Sequence, residues 1–136
     1  MKRELTLPAT VDNIETVTDF VNEYLDEIGC SMKIQMQIAV VIDELFSNIA
    51  YYAYAPSVGD ATVSIDYNEE AAEIELIFVD CGVKFNPLEK DEPDVTLSAA
   101  ERTIGGMGIF MVKKLMDDIA YEYVNGYNVL IIRKKL

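Results

Sequence analysis

The chain has 136 residues, 51% of them hydrophobic, enough for one domain with a real core and too apolar for disorder. Its net charge is −13 with no histidine, which excludes histidine catalysis and histidine metal sites and disfavours nucleic acid or anionic lipid as partners. The two cysteines, Cys30 and Cys81, form neither a ligand pattern nor a disulfide framework, and no uncharged apolar run approaches the ~20 residues of a membrane span. A reduced, cytoplasmic setting without nucleic acid or membrane is the expectation.

In chain order, residues 4–7 alternate and stop at Pro8, as a short edge strand would. Thr10 or Asp12 is placed to cap a helix that carries Val11, Ile14, Val17, Phe20, Val21, Tyr24, Leu25 and Ile28 on one stripe and ends at Gly29. Ser31 is placed to cap a second helix running to about Tyr52, with Ile34, Ile38, Val41, Ile42, Leu45 and Ile49 as its core stripe. Residues 61–67 and 72–79 read as two strands joined by a turn at Asn68-Glu-Glu70. The second ends in an almost wholly apolar run, as a buried strand should.

Residues 86–103 differ in character, with Pro87, Pro93 and a dense run of charges. A polar segment of that length inside a small domain is usually functional or mobile. A helix over about 108–116 follows, then strands over 119–124 and 127–134 joined by Asn125-Gly126, a strong hairpin signal. Arg133-Lys-Lys135 reads as a solvated terminal edge. No repeat or linker interrupts residues 1–136, which are expected to form a single domain.

Four features carry chemistry. Three of the seven glycines, Gly105, Gly106 and Gly108, flank Met107 just before an apolar helical run. A glycine loop entering a helix N-terminus suits a phosphate, because free N–H groups and the helix dipole converge there. The plainer reading is a turn before a core helix. Glu44 and Asn48 lie four apart beside the apolar stripe of the second helix, so they share a face at the rim of a pocket. An amide oxygen there can ligate Mg²⁺ and a carboxylate can accept a proton, although a plain polar helix face has the same pattern. Asp80-Cys-Gly82 follows the buried strand. Its carboxylate is either a turn former or an acceptor for the adenine amine, and Gly82 would let a base lie against the backbone. Asn128, just past the hairpin turn, is read first as a turn stabiliser.

The order of these motifs is more specific than any one of them. Asp43-Glu-Leu-Phe-Ser-Asn48, Asp80-Cys-Gly-Val-Lys-Phe-Asn-Pro87, Gly105-Gly-Met-Gly-Ile-Phe110 and Leu115-Met-Asp117 together resemble the GHKL (Bergerat-fold) ATPase superfamily. More closely, the chain is similar to the stand-alone anti-sigma-factor serine kinases of bacteria. The resemblance implies an α+β two-layer sandwich, with a mixed, mostly antiparallel sheet covered on one face by helices. It implies ATP and Mg²⁺, with Asn48 as the Mg²⁺ ligand and Glu44 as general base toward a serine. Asp80 would read adenine with Gly82 beneath the base, and Asn128 would add a secondary contact. Gly105, Gly106, Met107 and Gly108 would form the phosphate loop, and residues 86–104 the lid. The implied partners are a STAS-domain antagonist whose serine is phosphorylated, a sigma factor and a second copy in a homodimer.

The chain departs from that pattern at three places. Met107 and Ile104 stand where relatives often carry an arginine, and Arg102 is the nearest candidate. Asn128 replaces a common threonine. Tyr51 and Tyr52 replace a histidine found in many relatives. Three functions are consistent with the motifs: a protein-serine kinase, a nucleotide-gated binding module with negligible transfer, and a histidine-kinase ATPase domain detached from its phosphoacceptor.

Overall fold

The computed structural model describes residues 1–89 and 106–136. Five strands, β1 (Arg3–Pro8), β2 (Asp60–Asn68), β3 (Glu73–Asp80), β4 (Asp118–Val124) and β5 (Tyr127–Lys135), form one sheet in the order β1-β2-β3-β5-β4. Each neighbouring pair is antiparallel, in line with the mostly antiparallel sheet expected, and no parallel pair occurs among the described residues. The strand order corrects the place of the Arg133-Lys-Lys135 strand. It is internal, and the half-exposed Arg133 pairs with Glu75 and Asp118.

Helices α1 (Ile14–Glu27), α2 (Met32–Asn48) and α3 (Gly106–Leu115) form the second layer, with α2 packed between the other two. Their apolar stripes meet the alternate residues Val63, Ile65, Ile74, Leu76, Phe78 and Ile132 in one continuous core. Period 3.6 in the helices and period 2 in the strands are satisfied at the same interface. Phe46 is fully buried at its centre.

The turns follow their residue chemistry with three exceptions. Gly29, at φ 75°, ends α1 in a paired-carbonyl cap, with Cys30 N donating to Leu25 O and Gly29 N to Asp26 O. Ser31 Oγ accepts from Ile34 N at the start of α2. Asn125 and Gly126 both have positive φ, as a two-residue hairpin turn requires. The first exception is that neither Thr10 nor Asp12 caps α1. A 3₁₀ turn (Val11–Asn13) leads in, and Asn13 Nδ2 donates to Pro8 O at 2.8 Å. Secondly, β3 starts at Glu73 rather than 72, because Ala72 sits in the left-handed region at φ 50°. Thirdly, α2 does not continue regularly to Tyr52. It ends at Asn48 and widens into a π turn (Ile49–Ala53). Such widening inside a helical run is frequent at functional sites.

Candidate functional site

Asp80 is the last residue of β3. It continues the inward-facing series Ile74, Leu76, Phe78 and is itself buried. A carboxylate at the end of an apolar row needs partners. The register supplies one, because Asp80 lies directly opposite Asn128 on β5. Asn128 Nδ2 donates to Asp80 Oδ1 at 3.0 Å and to Val83 O at 2.9 Å. Asn128 Oδ1 accepts from Phe85 N at 3.1 Å and from the Tyr121 hydroxyl at 2.5 Å. Backbone partners on both sides fix which way the amide faces. Reading Asn128 as a turn stabiliser is therefore corrected. It is a buried hub whose four hydrogen-bonding positions tie Asp80 to the 83–85 loop. Asp80 Oδ1 also accepts from Gly82 N at 2.9 Å, while its Oδ2 has no hydrogen bond among the described residues.

The π turn carries α2 to the same place. Ala53 O accepts from Val83 N at 2.9 Å. Gly82 packs against that peptide so closely that a Cβ there would lie 2.5 Å from Ala53 C and 2.7 Å from Ala53 Cβ. In this structure the glycine admits the Ala53 carbonyl. Tyr54 closes the corner. Its hydroxyl donates to Asp60 O at 2.6 Å and accepts from Cys81 N at 2.9 Å. Burial, then the Cys81 thiol, pushes the Tyr54 pKa up to about 12, so the hydroxyl keeps its proton at neutral pH.

Asn48, at the end of α2, faces the cleft beside this loop. Its Nδ2 is buried and has no hydrogen-bond partner among the described residues. A buried amide without a partner awaits a ligand atom, and nothing fixes its rotation, so it can present either nitrogen or oxygen. That fits a bound oxyanion or a hard cation completed by substrate oxygens. Among the described residues no cluster of three His, Cys, Asp or Glu gathers to hold a metal unaided.

Glu44 lies one turn earlier on α2, half-buried, with its carboxyl against Gly108 in the first turn of α3. Burial, and then the charge of Asp43, raises its pKa above the ordinary glutamate value. Gly106 and Met107 begin α3; Gly105 and Arg102 lie outside the described residues. So does the expected lid beyond residue 89. Before that point Asn86 Oδ1 accepts from Leu88 N at 2.9 Å and starts a 3₁₀ turn (Pro87–Glu89).

These elements line a partly open cleft between the end of α2 and the loop after β3. Its walls are mainly apolar, including Ile49, Tyr52, Phe85 and Leu130, and Asp80, Asn128 and Asn48 supply polar groups. A flat apolar ring with an edge amine matches that division. Glu44 does not line this cleft and stands to its side, at α3. Sequence reading missed Tyr121, Tyr52, Phe85 and Ala53 as contributors. Tyr121 carried one signal, its inward phase in the alternating run of β4.

Comparison with known proteins agrees with the geometry. A family model described as "Histidine kinase-like ATPase domain" matches residues 7–134. The serine-protein kinase RsbW of Bacillus mycoides (strain KBAB4) is 25% identical over 136 residues, covering 97% of this chain and 84% of its own. The same-named protein of Bacillus cereus (strain B4264) is 26% identical with the same coverage. Among solved structures, the RsbU and RsbW domains of a Mycobacterium tuberculosis protein superpose with a TM-score of 0.71 at 20% identity, over 100% of this chain and 32% of that one. The SiaB–SiaC complex from Pseudomonas aeruginosa gives a TM-score of 0.58 at 17% identity, over 96% of this chain and 88% of that one.

Proposed function

The chain belongs to the histidine kinase-like ATPase domain family, and on that premise we propose that it is an ATP-dependent protein-serine kinase acting on a STAS-domain antagonist in a bacterial partner-switching pathway. Membership implies ATP binding; the kinase activity and the partner are our reading. The observation that carries it is the pairing on α2, where a half-buried Glu44 with a raised pKa stands one turn from an Asn48 amide nitrogen that has no partner among the described residues. The RsbW relatives are serine-protein kinases by name, at a similarity of 24–26% that spans nearly the whole chain.

In this reading Asp80 Oδ2 accepts a hydrogen bond from the adenine amine, and Tyr52 and Phe85 flank the base. Asn48 would hold Mg²⁺ through its amide oxygen, and that ion would offset phosphate charge. Gly105, Gly106, Met107 and Gly108 would lend backbone N–H groups to the phosphates. Glu44 takes the proton of the acceptor serine as the serine oxygen bonds to the γ-phosphorus. The bond from that phosphorus to the β–γ bridging oxygen breaks, and ADP leaves with the electron pair. Positioning and charge neutralisation account for most catalysis of this kind.

The test is incubation with γ-labelled ATP and a purified STAS-domain protein encoded beside the gene. Label on a serine, abolished by Glu44→Gln, is the expected result. A stable ATP-dependent complex without label would replace this reading with that of a nucleotide-gated binding module. The absence of an arginine at Ile104 and Met107 is the feature that favours that second reading.

A further inference from the structure

Gly108 stands out among the glycines of this chain. Gly29 and Gly126 hold positive φ, which accounts for them. Gly108 lies in the first turn of α3 without a positive φ, in a conformation open to any residue, where glycine is a poor helix former. Its reason must be space. A Cβ at this position would lie 2.6 Å from Glu44 Cδ and 3.3 Å from Cγ, with Glu44 Oε2 nearer still. All three nearest atoms belong to one side chain, and the residue is buried. The Cα of Gly108 is thus a floor against which the Glu44 carboxylate rests.

We propose that Gly108 is a positioning residue: its bare Cα seats the Glu44 carboxylate between α2 and α3 and sets where that carboxylate meets the acceptor hydroxyl. This rests on the reading of Glu44 as the base. It acts through the Cα and is compatible with the backbone N–H role toward phosphate that the resemblance implies. What a methyl group would strike decides its effect. At Gly82 the obstacle is backbone, which cannot retreat. At Gly108 it is the far end of a flexible side chain, which can. Gly108→Ala should therefore leave the fold intact and move the carboxylate.

Four measurements on the full chain decide the matter. In Gly108→Ala, calorimetry gives the ATP affinity, so that transfer can be compared at saturating nucleotide. There serine transfer should lose ~10-fold or more in kcat, part of what a general base contributes. The double variant Glu44→Gln with Gly108→Ala should be no slower than Glu44→Gln alone, because both act through one carboxylate. Independently of activity, ¹³C NMR of the labelled Glu44 carboxyl should change in shift and titration midpoint on Gly108→Ala. Asp43 is the charged neighbour on α2 to be held constant, and the turn Gly106-Met-Gly-Ile109 brings no charge of its own. An unmoved Glu44 resonance overturns the proposal, as does loss of ATP binding without a change at Glu44. If Gly108→Ala does not fold, adding Glu44→Asp, one methylene shorter, should restore it; failure to do so also overturns the proposal. Should the wild type bind no ATP, the kinase reading fails, while the NMR comparison still decides whether Gly108 seats Glu44.

Discussion

Glu44 and Asn48 share a helix face, yet their surroundings give them opposite demands. Asn48 has no partner among the described residues for a buried amide nitrogen, whereas Glu44 has a carboxylate partly withdrawn from water. The raised pKa makes a testable statement about stability. A carboxyl whose folded pKa exceeds its unfolded one favours the fold when protonated. That contribution is fully present below the unfolded pKa, ~4.3 for glutamate, and is lost as pH rises through the folded value. Glu44→Gln should then match wild type in melting temperature at low pH and exceed it at neutral pH, where the wild type must keep a half-buried charge. Melting curves across that range check this. A variant less stable than wild type at neutral pH would mean that Glu44 holds a favourable ionic contact instead. Asn128 is satisfied at both ends of its amide, and through it β5 fixes Asp80 and the 83–85 loop at once.

The π turn after α2 is the element that assembles the site. A regular helix through Tyr52 would have taken the Ala53 carbonyl elsewhere. The widened turn brings it to Val83 N and beneath Gly82, so the end of α2 and the loop after β3 become one unit. Tyr54 then bolts that unit to Asp60 and Cys81. Gly82→Ala tests the coupling. Its methyl group would meet the Ala53 peptide, which is backbone on both sides and cannot yield cheaply. The expected cost is about 1–3 kcal/mol of stability, the range for overpacking a tight contact, together with weakened nucleotide binding as the loop lifts from Ala53. Chemical denaturation and calorimetry on the same variant measure both. Unchanged stability with intact binding would show that the Ala53 contact is incidental.

Across the whole molecule, one continuous core joins three helices to one face of the sheet, and the cleft opens beside Phe78 and Leu45, which are themselves core residues. Ligand binding and global stability are therefore linked. A nucleotide at 100 times its Kd adds about 2.7 kcal/mol to the stability of the folded state. With Mg²⁺ present, ATP should raise the melting temperature well above the effect of GTP at equal concentration, and Asp80→Asn should shrink that difference. Guanine carries a carbonyl where adenine carries its amine, and a carboxylate accepts from the amine only. Equal shifts with the two nucleotides would remove Asp80 as the base reader. The net charge of −13 gives a polyanionic ligand no general attraction, so affinity must come from local N–H groups, the cation and the cleft walls. Among the described residues no helix is long and apolar enough to cross a membrane.

Periodicity and turn chemistry are local properties, and so they were legible in the chain alone. The apolar stripes of α1 and α2, the Gly29 stop, the Asn125-Gly126 hairpin and the five strands needed no tertiary knowledge, because each follows from side-chain spacing or a positive φ. That Glu44 and Asn48 share a helix face followed from helical phase, but of the two only Asn48 lines the cleft. What only the tertiary structure decided are relations between distant segments. The strand order sets Asp80 opposite Asn128, 48 residues later, and so turns an apparent turn residue into a buried hub. The π turn was invisible, since Ile49-Ala-Tyr-Tyr-Ala53 is compatible with a regular helix; its reason lies in the loop it meets. Two glycines acquire their neighbours the same way. Gly82 lies against the Ala53 carbonyl and Gly108 against the Glu44 carboxylate, and each neighbour comes from a part of the chain that only folding brings within reach.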